Sequence, residues 1–235
     1  MIKISEIGLN HMGQDKELFK YLYYLKREKI YGITIQILKN NFYKKKKFKR
    51  FKLKINSIVN FIKEVKKSKK KVGLAIDDIN QIKFFEKLKI DFYKVLSKDF
   101  KNIKLIKKLT KTKAKFIYLS TGLSSYKEIA KILNRINLKK IILIHTSFDE
   151  KLKNINFNRI KELRARFNVP VAYGNHSKFL SSIYKSISFK PHAIFFYVKL
   201  NRNLNYPDNK HAFKVKNIKK LVSKIDYNFN LIKKI

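Results

Sequence analysis

Residues 2 to 11 read Ile-Lys-Ile-Ser-Glu-Ile-Gly-Leu-Asn-His, and this segment indicates how the fold begins. Its isoleucines have the apolar, β-branched character of a strand, and Gly8 with Asn10 is typical of the turn that follows. The prediction is a strand that ends at Glu6 and a loop that carries Asn10 and His11. A carboxylate, an amide and an imidazole therefore leave one strand end together, either as part of a site or as the solvated turn after a buried strand.

The same alternation of apolar and amphipathic segments continues along the chain. Apolar, often β-branched segments predict further strands at 32–37, 72–76, 92–96, 116–119, 141–144, 169–173 and 193–198. Apolar residues at helical spacing predict helices at 16–29, 55–66, 79–89, 103–109, 126–136, 158–167, 179–187 and 215–225. Strands without a polar face, each followed by a helix, are typical of a parallel sheet that is buried on both sides.

Strand and helix units in this order leave two architectures open, a closed (β/α)8 barrel or an open doubly wound sheet. The 235 residues suffice for a barrel, and the number of matched units favours closure. No composition shift or flexible linker marks a boundary, because only 6 glycines and 3 prolines interrupt the chain. We therefore expect an α/β protein with a single (β/α)8 TIM barrel over residues 1–235.

The composition excludes some classes of site and partner. With no cysteine, the chain cannot form a disulfide framework or a thiolate metal site. Lys and Arg number 57 against 16 acidic residues, a net charge of +41, which is typical of proteins that bind polyanions. The lysines are spread evenly, however, and accompany many Ile, Asn, Phe and Tyr, as A+T-rich codon usage produces. The one dense basic block, 44–50, is predicted to be a solvated loop, so a nucleic-acid partner is not expected.

Hydropathy predicts no membrane span, because no uncharged apolar run of about 18 residues occurs. The lysine-bearing start also lacks a signal-peptide pattern. The expected location is therefore cytoplasmic.

In a barrel of this kind the chemistry lies where the strands end and the following loops begin. Polar side chains follow each predicted strand, and the segment beyond the eighth carries Arg202, Asn203 and Asp208. Lys94, Ser97 and the Ser120-Thr121-Gly122 turn, whose N–H groups precede a helix, predict a cradle for a phosphate or carboxylate. A second set could bind a divalent transition metal through nitrogen and oxygen ligands: His176, His11, Glu6 and His145.

Segments that carry these residues resemble, in the same order, motifs of the sialic acid synthase family. They are Ser-Glu-Ile-Gly-Leu-Asn-His (5–11), Tyr-Lys-Val-Leu-Ser (93–97), Leu-Ser-Thr-Gly-Leu (119–123), His-Thr-Ser (145–147), Val-Pro-Val-Ala-Tyr-Gly-Asn-His-Ser (169–177) and Leu-Asn-Arg-Asn-Leu-Asn-Tyr-Pro-Asp (200–208). The resemblance covers the whole chain. It implies a barrel that condenses phosphoenolpyruvate with an N-acetylmannosamine-type sugar into a nonulosonic acid for surface carbohydrate.

The resemblance also implies roles for individual residues. The implied phosphate ligands are Lys94 and Ser97 with Ser120 and Thr121 beside them, and the residues that face the sugar are Gln36 and Asp208. Glu6, beside the metal, and Asp99, in place of a family glutamate, are the implied catalytic residues. His176 is the implied ligand for manganese, which polarises the sugar aldehyde while water attacks the enol carbon and phosphate leaves.

Several positions depart from the family pattern. Thr34 stands where the second strand usually carries a lysine, and Phe148 stands where the sixth loop carries an asparagine. The eighth strand reads Phe195-Phe196-Tyr197 instead of Glu-Lys-His, so Tyr197 occupies the place of the second metal ligand. Gly174-Asn175 replaces a Ser-Asp pair. We also expect the barrel to lack the family's antifreeze-like C-terminal domain, which contributes an arginine to the sugar site across a dimer.

These features leave two main hypotheses for function. The first is an active phosphoenolpyruvate-dependent nonulosonate synthase. The second is a catalytically degenerate or altered-substrate barrel of the same family that serves as a binding or partner subunit, with a homodimer or a second protein supplying the missing groups. A third hypothesis, a basic nucleic-acid binder, predicts RNA affinity that falls steeply with salt.

Overall fold

A computed structural model describes residues 1–149, 151–200 and 205–233 of the chain. The strands are β1 Ile2–Gly8, β2 Gly32–Ile37, β3 Lys71–Ile76, β4 Phe92–Val95, β5 Phe116–Ser120, β6 Ile141–Thr146, β7 Val171–Asn175, β8 Ala193–Lys199 and β9 Phe213–Lys214. The helices are α1 Asp15–Leu25, α2 Asn40–Lys44, α3 Lys46–Lys49, α4 Ile55–Lys67, α5 Ile82–Glu86, α6 Ile103–Thr110, α7 Tyr126–Leu133, α8 Arg159–Phe167, α9 Leu180–Ile187 and α10 Ile218–Lys233.

Strands β1 to β8 pair in sequence order, all in parallel, and β8 pairs back onto β1. The sheet is therefore closed, which confirms the (β/α)8 barrel and rules out the open doubly wound alternative. In the closing register Glu6 lies opposite Thr34 on one side and Tyr197 on the other. Beyond Glu6 the register of β1 against β2 shifts, so β1 leaves the barrel through an irregular turn at Gly8.

Alternation along each strand sends one set of side chains into the barrel and the other toward the helices. The inward set below the mouth is largely aromatic and branched, and the ring of Tyr118 meets those of Phe92 and Phe195 edge to face at centroid distances of 5.7 and 4.8 Å. The outward set packs against the helices in a larger core. The barrel interior is thus filled below its carboxyl end, and the mouth lies above this packed layer.

The predicted helices and strands are present with ends shifted by up to eight residues, most at the end of the last helix, but the basic block was predicted wrongly as a loop. Lys44 ends α2 and residues 46–49 form α3, with the lysines exposed as expected. The reason is the aromatic residues in and beside the block: the rings of Phe42 and Phe48 stack 4.2 Å apart, and Tyr43 and Phe51 pack on Leu38. The two-residue strand β9 was also not predicted.

Within 1–149, 151–200 and 205–233, no helix is both long enough and apolar enough to cross a membrane. Arg202 and Asn203, which the sequence places at the rim, lie outside the described residues.

Candidate active site at the barrel mouth

The carboxyl end of the barrel holds a cavity of about 260 Å³, called here the mouth cavity. It is lined by Gln36, Lys94, Leu96, Ser97, Lys98, Ser120, Leu123, Phe148, His176 and Tyr197. Strands β2, β4, β5, β7 and β8 or the loops after them therefore contribute to one concave surface. Five residues that the sequence singled out for binding line it together: Gln36, Lys94, Ser97, Ser120 and His176.

The floor of the mouth cavity carries a buried ion pair. Lys94 Nζ lies 2.5 Å from Glu6 Oε1, and the side chains are only 4% and 3% exposed. The ammonium also lies 5.2 and 5.5 Å from the ring centroids of Phe195 and Tyr197. An ammonium has three N–H donors, and within the described ranges the Lys94 side chain makes a hydrogen bond only to Glu6. Lys94 can therefore still donate to an anion that enters the cavity.

Three hydroxyl groups form a chain along the adjacent wall. Ser97 Oγ and Ser120 Oγ are 2.8 Å apart, and Ser120 Oγ and Thr146 Oγ1 are 3.0 Å apart. The turn leaves them little room, because a Cβ at Gly122 would lie 2.8 Å from the Thr146 carbonyl oxygen and 3.2 Å from Ser97 Oγ. The role of Thr146 was missed from sequence. The alternation of side chains along a strand could have revealed this role, because Ile142, Ile144 and Thr146 share the inward face of β6.

Thr121 is placed differently from its neighbour. Its backbone N–H and its hydroxyl both donate to the carbonyl of Ile144 at 3.0 Å, so its side chain fixes the turn to β6. Helix α7 behind the turn is closed by a capping box between Ser125 and Glu128. The start of α7 is thus already occupied by its own side chains. The donors that line the mouth cavity are instead the ammonium groups of Lys94 and Lys98, the Gln36 amide and the serine hydroxyls.

His176 sits among rings at the opposite wall. Its ring centroid lies 5.1 Å from that of Phe148, 5.4 Å from Tyr197 and 4.5 Å from His211. Burial, with smaller contributions from His211 and Lys94, holds the pKa of His176 well below its usual value. The imidazole is therefore neutral near pH 7 and can act as a ligand or a hydrogen-bonding group.

The donor set around His176 does not fit a manganese site. Across the described parts of the chain, no three His, Asp or Glu side chains are grouped so that they could hold a metal ion. Tyr197 supplies a phenol whose pKa is raised by burial and by Glu6 and Asp208, so it stays neutral. Glu6 is held by Lys94, whose positive charge opposes a cation at this place.

The four-residue metal set predicted from sequence is wrong in two members. His145 is an outward residue of β6, and its ring faces Tyr173 at 6.2 Å in the layer between barrel and helices. His11 Nδ1 accepts a hydrogen bond from the Gly13 N–H at 2.9 Å and lines a different cavity. Both follow the strand ends predicted from sequence, but strand parity at His145 and the turn after β1 at His11 direct these side chains away from His176.

Asp208, in the segment after β8, lies beside Gly8, as Tyr197 does, but it does not line the mouth cavity. The Asn10 side chain places it, accepting from Asp208 N at 3.0 Å and donating to the Val198 carbonyl at 2.8 Å. A Cβ at Gly8, whose φ is +58°, would meet Asp208 Oδ2 at 2.8 Å. Burial and then the charge of Glu6 raise the pKa of Asp208 to about 7. Asp208 therefore holds a proton over part of the neutral range.

Asp99 lies on the outer rim and does not line the mouth cavity. Lys98 Nζ is 2.7 Å from Asp99 and 2.9 Å from Asp77, so the three residues form a charge cluster beside the entrance. Asp77 also accepts from the Lys39 N–H at 2.7 Å, which ties the cluster to the loop after β2. The geometry thus shows Asp99 contacting Lys98, while its predicted part in catalysis stays a prediction.

A sequence profile of the NeuB family matches residues 23–234. The chain belongs to the NeuB family. This NeuB-family chain is 28% identical over 236 residues to an uncharacterized protein of Methanocaldococcus jannaschii, a match that covers 94% of this chain and 69% of that protein. It is 24% identical over 155 residues to the N,N'-diacetyllegionaminic acid synthase of Campylobacter jejuni, covering 63% of this chain and 46% of the synthase.

Two solved structures share the barrel of this NeuB-family chain. The N-acetylneuraminic acid synthetase of Leptospira borgpetersenii, in complex with citrate, superposes with a TM-score of 0.90 at 20% identity, covering 98% of this chain and 84% of that one. The spore coat polysaccharide biosynthesis protein spsE of Bacillus subtilis gives 0.88 at 15% identity, covering 99% and 69%. These structural similarities agree with the (β/α)8 barrel fold.

Proposed function

We propose that this barrel is a nonulosonate synthase-like enzyme that condenses phosphoenolpyruvate with an N-acylated amino-sugar aldehyde, in the biosynthesis of surface carbohydrate. The observation that carries the proposal is the meeting of Lys94, Ser97 and Ser120 in one cavity. A buried ammonium beside two hydroxyl groups is suited to a phosphate, because hydrogen bonds to charged groups are strong where water is excluded. Membership of the NeuB family supports the same reaction class.

In this reaction carbon 3 of the enol phosphate bonds to the aldehyde carbon of the sugar. Water adds its oxygen to carbon 2, and phosphate leaves by cleavage of its bond to that carbon. The aldehyde oxygen gains a proton on becoming a hydroxyl. Asp208, buried beside Gly8 and with its pKa raised to about 7 by burial and Glu6, can hold that proton. Lys94 and the serines stabilise the charge on the departing phosphate.

A second function, binding without turnover, is favoured by the wall around His176. Tyr197 and Phe195 replace the charged and metal-binding side chains that the resemblance implies, and the nearby donor set does not fit manganese. A barrel with this wall can still bind the enol phosphate at Lys94. It would then serve as a binding or partner subunit, and a requirement for manganese stays a prediction of the family resemblance.

Phosphate release separates the two functions. The full chain is incubated with phosphoenolpyruvate and a panel of N-acylated mannosamine-type sugars, with manganese, with magnesium and with a chelator. The enzymatic proposal predicts sugar-dependent phosphate release that is lost in Lys94→Met. Binding of phosphoenolpyruvate without release under any of these conditions would favour the binding function instead.

A further inference from the structure

A second cavity lies beside the mouth and is larger, at about 330 Å³. We call it the lateral cavity. It is enclosed by the turn after β1, the end of β2, the pair α2 and α3 with the segment that follows, and the start of α4. Its walls are mostly apolar and aromatic, and include Leu38, Tyr43, Phe51 and Leu53. Its size and lining are those of a small-molecule pocket.

One polar group on this wall lacks a partner. His11 is 1% exposed and lines the lateral cavity. Its Nδ1 accepts the Gly13 N–H at 2.9 Å, which leaves the proton of the neutral ring on Nε2. Within the described parts of the chain Nε2 has no hydrogen-bond partner. Burial lowers the pKa of His11 to about 3, so the ring is neutral and offers one N–H donor.

The lateral cavity and the mouth cavity are neighbours, because Gln36 lines both. A ligand whose reacting end lies near Lys94 can therefore extend past Gln36 into the lateral cavity. The extension must suit apolar walls and one uncharged donor, which describes an amide carbonyl followed by an alkyl chain. A carboxylate fits less well, since the donor is neutral and the walls would desolvate the charge.

We infer that the lateral cavity binds the N-acyl substituent of the amino-sugar substrate, with the acyl carbonyl accepting from His11 Nε2–H and the alkyl part against Leu38 and Phe51. This inference rests on the proposed function for the identity of the sugar. At about 330 Å³ the cavity has more room than an acetyl group fills. The preferred substrate class is therefore an amino sugar whose acyl chain is longer than acetyl.

The test measures equilibrium binding, which does not require turnover. Mannose, N-acetylmannosamine and N-butanoylmannosamine are titrated into the full chain in the presence of phosphoenolpyruvate. Burial of each added methylene contributes about 0.8 kcal/mol, so the butanoyl sugar should bind roughly tenfold more tightly than the acetyl sugar, and mannose most weakly. Equal affinities for the two acyl sugars would overturn the inference. So would the absence of binding by any sugar at concentrations up to about 10 mM, which corresponds to a binding free energy smaller in magnitude than about 2.7 kcal/mol.

Four variants test whether the effect arises in the lateral cavity. Leu53→Trp fills the lateral cavity and should abolish the preference for butanoyl without weakening the binding of mannose. His11→Leu should weaken both acyl sugars, whereas His11→Gln keeps an N–H donor and should recover part of the loss, which separates donation from folding. Met12→Leu, a neighbouring change outside the cavity lining, should alter nothing. A Leu53→Trp protein that still prefers butanoyl would contradict the assignment.

The outcomes remain distinguishable from those of the proposed function. If the chain binds the sugars according to acyl length but releases no phosphate, the N-acyl subsite is supported and the catalytic function is rejected. Phosphate release that is indifferent to acyl length would keep catalysis and reject the subsite.

Discussion

The two walls of the mouth cavity differ in how they relate to the family pattern. The wall built by β4 and β5 carries Lys94, Ser97 and Ser120 where the resemblance predicts them, and the hydroxyls there form one hydrogen-bonded chain. The wall built by β7 and β8 carries His176 against the phenol of Tyr197. One wall is thus suited to an anion, and the other has become aromatic.

This difference indicates that the two walls can change independently. In the anion-binding wall, Lys94 and Ser120 need only the inward parity of β4 and β5, and Ser97 lies in the turn directly after β4. A metal site needs several ligands at once at fixed distances, so the replacement of one ligand, as the family resemblance implies for Tyr197, would be enough to remove the site. The predictions below test whether the anion-binding wall is intact and whether the aromatic wall is short of one ligand.

The largest expected effect concerns the ion pair beneath both walls. Lys94→Met leaves Glu6 charged, buried and unpaired, so the free energy of unfolding should fall by about 3 to 5 kcal/mol in urea denaturation. Lys67→Met is a control of equal charge, since Lys67 pairs with Glu64 where the side chains are 74% and 44% exposed, and it should cost about 1 kcal/mol or less. Adding Glu6→Gln to Lys94→Met should restore much of the loss. Equal effects of the two lysine substitutions would show that the Lys94 pair is not desolvated.

The next effect is the pH dependence set by Asp208. Its pKa is raised from 3.8 to about 7, so the neutral form is favoured in the folded state. The stability that protonated Asp208 contributes is fully present at pH values below its unfolded pKa of 3.8, and it is lost as the pH rises through its folded-state pKa of about 7. Asp208→Asn should therefore gain stability relative to the native chain between pH 4 and 8, by roughly 3 to 4 kcal/mol at the upper end. The exposed Asp15→Asn control should show no such trend, and a flat difference for Asp208→Asn would contradict the raised pKa.

A smaller effect is expected from restoring the family residue on the aromatic wall. Tyr197→His places a second imidazole opposite His176, whose ring now lies 5.4 Å from that of Tyr197. The affinity for manganese should rise at least tenfold, or about 1.4 kcal/mol. It can be measured from the loss of the electron paramagnetic resonance signal of free Mn²⁺ as the ion binds. Adding His176→Ala should abolish the gain. Tight one-to-one manganese binding by the native chain, lost in His176→Ala, would show that the donor set already suffices.

The smallest effect concerns the hydroxyl chain. Ser120→Ala removes the link between Ser97 and Thr146, and the net value of a hydrogen bond is about 0.5 to 1.5 kcal/mol. Phosphoenolpyruvate affinity should fall about threefold to tenfold in calorimetric titration. Ser97→Ala should have a similar effect, and the two together should be less than additive because the hydroxyls act through one chain. Strict additivity would argue for two separate contacts.

Much of the fold followed from sequence because periodicity is a local signal. The apolar segments and their spacing predicted the eight paired strands of the barrel, and motif order predicted that Lys94, Ser97, Ser120 and His176 meet. The features that could not be predicted from sequence depend on how side chains are oriented and packed in the folded protein. The direction of His145 is decided by strand parity, and the helical form of the basic block is decided by aromatic packing over Leu38.

The site could be predicted only as a set of candidates, since distances across a barrel are not encoded locally. Thr121 and Ser120 are adjacent, yet one bonds to the Ile144 carbonyl and the other lines the cavity. Likewise, no pattern indicated that His11 would keep Nε2 unpartnered in a separate cavity. These outcomes depend on which neighbour takes each hydrogen bond after the sheet has closed.

The most direct test of the account is a titration of phosphoenolpyruvate into the native chain, Lys94→Met and Lys67→Met under conditions where all three are folded. If the mouth cavity holds the phosphate, the native chain and Lys67→Met should bind one molecule each with equal affinity, and Lys94→Met should bind roughly tenfold to a hundredfold more weakly. Equal affinity in all three proteins, or no binding by the native chain, would contradict the claim that Lys94 and its neighbouring hydroxyls form an anion site.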